Sequence, residues 1–441
     1  MRAADRERNS QDLSAAPPIP SPFCASFSEA PQYSADEQFR RERAYDEALE
    51  AVENDIRVPL PNEEERRQRQ DRIVQSFSLF SARALGLDGE AIGVLTNEFM
   101  PVGTSLARRA RQFDPSLPMS DIVQAARNAW TACGLQPLLG APVTLTSSIF
   151  GYSLLYPYSD NLLDDEAVFT AAKLKFSRRF RKRLLGERLP PEDDREQAVW
   201  ALVALIETQY SRKDFPQVFE CLLAIHSAQE NSIHQLHANG SAPSLESLRL
   251  SCAKGGTSVL ADGCLVRGSL NEAESRFAFE WGVLLQLGDD LQDVKDDLRR
   301  GSVTLFSRAA ATGQPLDALT IQLLNFSERV GNRANKLPYG TLTLKNLLKM
   351  SWRSLIIRAV ADSHQFFSAR FLNHAEKCSP FRFEFLRQRS DRLASREGLY
   401  TALFEALLEP TEEQISRQAD ASASYRSPQE QRLRSPAISF L

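Results

Sequence analysis

Residues 284–301, LLQLGDDLQDVKDDLRRG, decide the fold class of this 441-residue chain. An oily run leads directly into five aspartates, which recur at the three- and four-residue spacing of an α-helix. Like charges at that spacing repel by about a few tenths of a kcal/mol per pair. Because either bulk water or a bound cation must offset this repulsion, the stretch predicts a helix whose acidic end faces solvent or a metal site.

A second acidic stretch lies upstream, in YSDNLLDDEAV at residues 158–168. On a helix Asp160 and Asp164 share one face, and Asn161 and Asp165 form the adjoining row. An apolar segment, SSIFGYSLLY, precedes this stretch, just as FEWGVLLQL precedes the downstream one. We therefore expect each set of carboxylates where a buried helix emerges into a cavity.

The downstream acidic set, at residues 289–297, offers only carboxylates as ligands. In it Asp289 and Asp293 share a helix face, and Asp290 lies three residues before Asp293. Oxygen-only ligands suit Mg²⁺, whereas the absence of His and Cys from both sets argues against zinc. The alternative is a solvated acidic helix face, as most charge runs are. Two sets with the same spacing, each behind an oily helix, favour the metal.

Most of the remaining sequence has helical periodicity, and no run of alternating strand residues or phosphate-binding glycine loop occurs in it. We predict an all-α domain over residues 36–410. The Pro-, Ser- and Ala-rich residues 1–35 and the polar residues 411–441 are expected to be disordered tails.

Composition excludes several classes of protein. A formal net charge of −4 gives no basic field for nucleic acid. The six cysteines are scattered without a CxxC pair, which is typical of reduced thiols in a cytosolic protein. The N-terminus is charged, and the longest apolar region is interrupted by prolines. We therefore expect a cytoplasmic, soluble protein without a secretion signal or a transmembrane segment.

These motifs resemble the class I isoprenoid synthases, the all-α superfamily of trans-prenyltransferases, squalene/phytoene synthases and terpene cyclases. QLGDDLQDV (286–294) is similar to the second aspartate-rich motif, DDxxD, of trans-prenyltransferases. With KDDLRRGSVTLF (295–306) it also resembles the squalene/phytoene synthase version. YSDNLLDD (158–165) matches the first motif more loosely, since Asn161 stands where prenyltransferases usually have an aspartate.

The resemblance implies a single helical bundle with a central cavity, in which Mg²⁺, three ions with substrate bound, helps to ionise an allylic isoprenyl diphosphate. Homodimers are common in the resembling families. Residues placed by the resemblance at the metals are Asp160, Asn161, Asp164, Asp165, Asp289, Asp290 and Asp293, with Asp160, Asp164, Asp289 and Asp293 as the catalytic set. Residues placed at the diphosphate are Gln229, Lys254, Arg299 and Arg300, although the two arginines could instead complement the helix dipole.

A carbocation needs a dry, aromatic cavity that offers no nucleophile. Five aromatic residues lie one to three turns before the acidic sets, where they serve either as cavity wall or as plain core: Phe150, Tyr152, Tyr156, Phe279 and Trp281. Another set of residues of metal-binding type has helical spacing: His226, Glu230, His234 and His237. Because the set lacks the HExxH order of zinc hydrolases, we interpret its members as surface or core residues.

Chain-elongating members of the superfamily need a second diphosphate site, whose usual GKxxRP and Arg-Arg-Gly segments are not found here. The basic run at residues 173–183 either binds a second diphosphate or forms a solvated basic face. The sequence therefore favours a terpene synthase acting on one diphosphate. Head-to-head condensation comes second, chain elongation third, and a non-catalytic helical scaffold is the alternative from another class.

Overall fold

The computed structural model describes residues 31–58, 63–165, 167–236, 244–395 and 401, and within these ranges the chain is helical with no β-strand. The all-α prediction is therefore confirmed for the part of the chain that is described. The α-helices are α1 Ala35–Ile56, α2 Glu63–Phe80, α3 Gly89–Gly93, α4 Met100–Phe113, α5 Met119–Leu138, α6 Ser147–Asp164, α7 Thr170–Leu184, α8 Asp194–Gln209, α9 Pro216–Leu236, α10 Ser244–Arg267, α11 Glu272–Gln292, α12 Val294–Arg300, α13 Leu305–Ala311, α14 Asp317–Lys336, α15 Leu342–Asp362, α16 Ala369–Lys377 and α17 Phe383–Ser395.

The centre of the fold is the pair α10 and α11, which make the most extensive helix–helix contact among the described elements. Glycines permit this closeness. A Cβ on Gly255 would overlap the carbonyl oxygen of Gly282, and one on Gly256 would overlap the ring of Phe279. The two backbones therefore touch directly after Lys254, in the interior of α10. This contact sets the position of that lysine relative to α11.

Two large apolar cores flank the central pair. One is built mainly by α4 to α9 with α10, and the other by α11 with α14, α15 and α16. Leu260, Val266 and Leu270 pack against both cores, so the apolar interior is continuous. No helix among the described residues combines the length and the apolar character needed to cross a bilayer.

The start of the described chain is fastened to its end by charge pairs. Arg382 donates to Glu42 at 2.9 Å, and Arg392 donates to Glu53, which is nearly fully buried, at 2.9 Å. The Ser34 hydroxyl caps α1, which begins beside the predicted domain boundary. Residues 1–30 and 411–441, which hold most of the predicted tails, lie outside the described residues, as does the predicted domain end near 410.

Candidate active site

The downstream acidic set lies where α11 ends and α12 begins. Helix α11 starts with a capping box between Asn271 and Glu274, and it stops at Gln292 because Asp293 leaves the helical conformation at φ −89° and ψ 7°. The backbone N–H of Asp293 still donates to the Asp289 carbonyl, and that of Asp297 to the Asp293 carbonyl, both at 2.8 Å. The one-turn spacing of these aspartates is thus kept across the break.

Asp290 is the most deeply held of these carboxylates, at 5% exposure. The Ser251 hydroxyl of α10 donates to one of its oxygens at 2.7 Å, and the Gln286 amide donates to the other at 2.9 Å. Burial raises its pKa, while these two bonds and nearby Lys254 act in the opposite direction. Asp290 therefore has a fixed orientation with incomplete charge compensation.

Asp289 is half-buried and faces α5. Its Oδ1 lies 3.5 Å from the guanidinium of Arg127, a residue that belongs to neither acidic motif. Burial raises the pKa of Asp289 to about 6 against the attraction of Arg127, and the charges of Asp293 and Asp290 add to the rise. Lys254 is close enough to lower it.

The raised pKa values continue into α12. Burial raises the pKa of Asp297 to about 7, with the charge of Asp290 as the next cause. Burial and the charge of Asp296 raise the pKa of Asp293. Arg300 acts on both Asp293 and Asp297 in the opposite direction, whereas Arg299 is mostly exposed and pairs with Asp296. The described cations near this set leave its negative charge only partly compensated.

The upstream set is split between buried and exposed positions. Asp160 is 3% exposed and accepts a hydrogen bond from the Gln229 amide of α9, while Asn161 and Asp165 are exposed. The predicted row of Asn161 and Asp165 is interrupted because α6 ends at Asp164 and Asp165 turns into extended backbone, where its carboxylate caps the Ala167 N–H at 2.8 Å. The side chain of Asp164 lies outside the described set.

Several predicted neighbours are thus brought together: Gln229 with Asp160, and Lys254 with Asp289 and Asp290. Three contributors were missed by sequence reasoning. Helical spacing in the sequence could have identified two of them. Gln286 lies one turn before Asp290, and Ser251 lies one turn before Lys254. Arg127 carried no such signal, because only the packing of α5 brings it to α11.

A narrow cavity of about 30 Å³ lies beside Asp160, since Ser159 and Gln229 are among its lining residues. Among its lining residues, Gln229 binds Asp160, Asn128 follows Arg127 in α5, and Ser258 lies one turn beyond Lys254 in α10. The remaining lining residues are Tyr152, Leu155, Tyr156, Ser159, Phe180, Leu184, Leu222, Ile225 and His226.

The predicted aromatic residues divide accordingly. Tyr152 and Tyr156 line the cavity, whereas the other three are placed elsewhere. Phe150 lies under the Arg109 guanidinium at 4.2 Å, Phe279 covers Gly256, and Trp281 packs edge-on against Trp352 at 5.3 Å between ring centres. Core packing accounts for Phe150 and Trp281, whereas the partly buried Phe279 packs at the crossing of α10 and α11.

The basic run of α7 is largely occupied by ion pairs. Arg179 binds Glu196 through two hydrogen bonds of 2.6 and 2.8 Å, and Arg183 binds Glu207 through two of 2.5 and 2.7 Å. Lys175 pairs with Glu192 at 2.5 Å. These contacts favour a structural role for the run over a second diphosphate site.

The predicted histidine set is described only in part. His226 is a core residue at 2% exposure, lies 3.3 Å from the Ser177 hydroxyl, and has a pKa lowered by burial. Ser177 also donates to Glu230 at 3.1 Å. The side chain of His234 and all of His237 lie outside the described residues.

Within the described ranges, no group of three or more His, Cys, Asp or Glu side chains is arranged to hold a metal ion unaided. The donor chemistry of the two acidic sets nevertheless fits Mg²⁺, which takes one or two protein carboxylates and completes its shell with water and phosphate oxygens. Burial is the main cause of the raised pKa values of Asp289, Asp293 and Asp297, and neighbouring carboxylate charges add to each rise, so positive charge added among them would be favourable.

Comparisons with known proteins found no matching family model, no matching curated protein and no matching solved structure.

Proposed function

We propose that this protein is a Mg²⁺-dependent class I isoprenoid synthase that ionises an allylic isoprenyl diphosphate, and that it acts as a terpene synthase on a single diphosphate substrate. The observation that carries the proposal is the position of the two acidic sets. The Asp160 partner Gln229 lines a cavity, and so do residues of α5 and α10, the helices that carry Arg127 and Lys254 towards Asp289. Lys254 also lies within electrostatic range of Asp290.

Ionisation breaks a C–O bond, puts further negative charge on the departing diphosphate and leaves a carbocation. Bound Mg²⁺ would stabilise that developing charge. The carboxylates of Asp160, Asp289, Asp290 and Asp293 are the residues that would hold the metal, and Asp164 joins them in the proposal through its motif alone. Ser251 and Gln286 keep the Asp290 carboxylate oriented, which lowers the cost of assembling such a site.

The diphosphate itself would be bound by cationic donors. Lys254 is held against α11 by the glycine contact, and Arg300 lies near Asp293 and Asp297. Arg127 is a further candidate, because the pair that it forms with Asp289 is partly exposed and the guanidinium can turn to a ligand oxygen. The exposed pairing of Arg299 with Asp296 makes it the weakest candidate among the predicted donors.

The single-substrate form of the proposal rests on α7. A condensing or chain-elongating enzyme must bind a second diphosphate, and the basic run that would supply that site is engaged with Glu192, Glu196 and Glu207.

The volume of the cavity sets a condition on substrate binding. At about 30 Å³ the cavity is far smaller than the pockets of about 300–1,000 Å³ that bind small molecules the size of a prenyl diphosphate. Binding of a prenyl chain therefore requires outward movement of the lining side chains.

The test is to incubate the purified protein with Mg²⁺ and geranyl, farnesyl, geranylgeranyl or longer all-trans diphosphates, each alone and then with isopentenyl diphosphate. Released pyrophosphate and extracted products are followed for the wild type, Asp290→Asn, and the matched control Asp71→Asn, which changes an exposed aspartate of α2. We expect turnover of one diphosphate alone, lost in Asp290→Asn and kept in the control.

A doubled chain would instead mean head-to-head condensation, and turnover only with isopentenyl diphosphate would mean chain elongation. If no diphosphate is turned over and none binds in a Mg²⁺-dependent way, the proposal fails and the non-catalytic scaffold is favoured.

A further inference from the structure

The cavity beside Asp160 has a mixed lining. Tyr152, Ser258 and Asn128 are among its polar lining residues, and Leu155 and Ile225 are among its apolar ones. A volume of about 30 Å³ has room for a water molecule, and buried water is stable where it finds two to four polar partners. The polar side of this cavity offers such partners.

The hydroxyls have bonding capacity left. The Tyr152 hydroxyl lies 3.3 Å from both the Ser258 hydroxyl and the Ser258 carbonyl, distances at the long limit of hydrogen bonding. Tyr152 is 9% exposed, so bulk solvent hardly reaches it. A water oxygen beside these groups, within about 2.8 Å of both hydroxyls, would therefore form better hydrogen bonds than the two residues form with each other.

A buried acid extends this polar side by one helical turn. Asp262 follows Ser258 by four residues in α10, is 1% exposed, and neither of its carboxyl oxygens has a hydrogen-bond partner in the described structure. Burial raises the pKa of Asp262 well above its ordinary value, and its charge also acts on Tyr152. A neutral carboxylic acid can both donate and accept a hydrogen bond, and the proposed reaction gives it no other role.

We propose that Tyr152 and Ser258 bind an ordered water at the inner end of the cavity, with Asp262 as a positioning residue, and that this water captures the carbocation so that the product is a terpene alcohol. The inference rests on the proposed function. The water oxygen supplies the electron pair of the new C–O bond, and the resulting oxonium gives one proton to the diphosphate released on ionisation. One diphosphate ester and one water thus become one alcohol and one protonated diphosphate, with no oxidant or reductant.

The water site is tested first without any substrate. Crystal structures of the wild type, Tyr152→Phe and Tyr210→Phe are compared at a resolution that shows single waters. Tyr210 is the matched control, because its buried hydroxyl donates to the Leu265 carbonyl of the same helix at 2.8 Å outside the cavity. We expect a water bonded to Tyr152 and Ser258 in the wild type and the control, and its loss in Tyr152→Phe; no such water in the wild type overturns the inference.

The product is tested in ¹⁸O-enriched water with whichever diphosphate the enzyme ionises. We expect an optically active alcohol that carries ¹⁸O, because spontaneous solvolysis gives racemic alcohol and attack on phosphorus leaves the ester oxygen in place. In Tyr152→Phe the alcohol share of total product should fall about fivefold, the effect of losing one ordinary hydrogen bond to the water, while Tyr210→Phe keeps the wild-type share.

Failure of this inference is distinct from failure of the proposed function. Pyrophosphate release with hydrocarbon products alone overturns the water capture and leaves the synthase standing. Absence of any pyrophosphate release overturns both, whatever the crystal structures show. An unchanged alcohol share in Tyr152→Phe overturns the assignment of the water to this cavity.

Discussion

The Gln229 amide on α9 donates a hydrogen bond to the buried carboxylate of Asp160 on α6, and this contact ties the upstream acidic set to the helix behind it. A buried carboxylate that loses a donor bears a desolvation cost, so Gln229→Leu should destabilise the protein by about 1–3 kcal/mol. Urea unfolding of Gln229→Leu, Asp160→Asn and the double variant measures the coupling directly. We expect a coupling energy of about 1 kcal/mol or more.

Asp71→Asn combined with Gln229→Leu is the additive control, because Asp71 is exposed on α2, a helix that packs against α1. Equal coupling in the two cycles would mean that Gln229 and Asp160 do not stabilise each other.

Under the proposed function, Arg127 would compete with a metal ion for Asp289. Because the pair is partly exposed at 3.5 Å, its removal in Arg127→Gln should change the free energy of unfolding by no more than about 0.5 kcal/mol. The same change removes a positive charge from a predicted metal ligand, so Mg²⁺ should bind about two- to fivefold more tightly in titration calorimetry. Arg276→Gln is the control, since Arg276 is similarly exposed and pairs with Glu280 on α11 at 3.2 Å. Equal affinities in the two variants would exclude Asp289 as a ligand.

The contact between α10 and α11 tolerates no side chain at residue 255. A Cβ there would overlap the Gly282 carbonyl and the Gln286 side chain, so Gly255→Ala should cost about 1–3 kcal/mol or more through overpacking. Gly93→Ala is the control, because the nearest atom, the Asn97 amide, would be 3.7 Å from the new Cβ. Alanine at this helical position should be neutral or stabilising by up to about 1 kcal/mol. Similar urea midpoints for both variants would contradict the observed helix crossing.

Periodicity was enough to predict the all-α class and the helical phase of the downstream aspartates, because local hydrogen bonding sets both. It could not predict that α6 ends at Asp164, since the end depends on Asp165 capping the chain that follows. Gly255 and Gly256 stood beside Lys254 in the sequence, but only the packing shows that they are the contact with α11.

Long-range packing explains the other differences. Arg127 lies far from Asp289 in sequence and meets it because α5 lies beside the central pair. The aromatic residues before the acidic sets were candidates for core packing first and for cavity wall second, and among them Tyr152 and Tyr156 line the cavity. The sequence did not single out Ser258 as a cavity residue or Asp262 as a buried acid, since both look like ordinary helix residues in an apolar segment.

The raised pKa of Asp262 predicts a specific dependence of stability on pH. Its pKa is raised by burial, whereas an unfolded aspartate ionises near pH 4. The neutral acid therefore contributes stability fully below about pH 4, and this contribution is lost as pH rises towards the folded-state pKa. Between the two pKa values the folded protein binds one more proton than the unfolded chain. The free energy of unfolding therefore falls by about 1.4 kcal/mol for each unit that the pH rises.

Asp262→Asn should remove that slope, so its unfolding free energy should gain on the wild type as pH rises above about 4, and a carboxylic C=O band should vanish from its infrared spectrum. Asp114→Asn is the control with the opposite sign, because hydrogen bonds from Ser116 and Tyr158 lower the pKa of Asp114. Its contribution is lost only as pH falls into the acidic range, so the difference from wild type stays constant from pH 5 to 8. Parallel wild-type and Asp262→Asn curves over that range would mean that Asp262 is ionised in the folded protein, and an ionised Asp262 cannot donate the hydrogen bond that positions the proposed water.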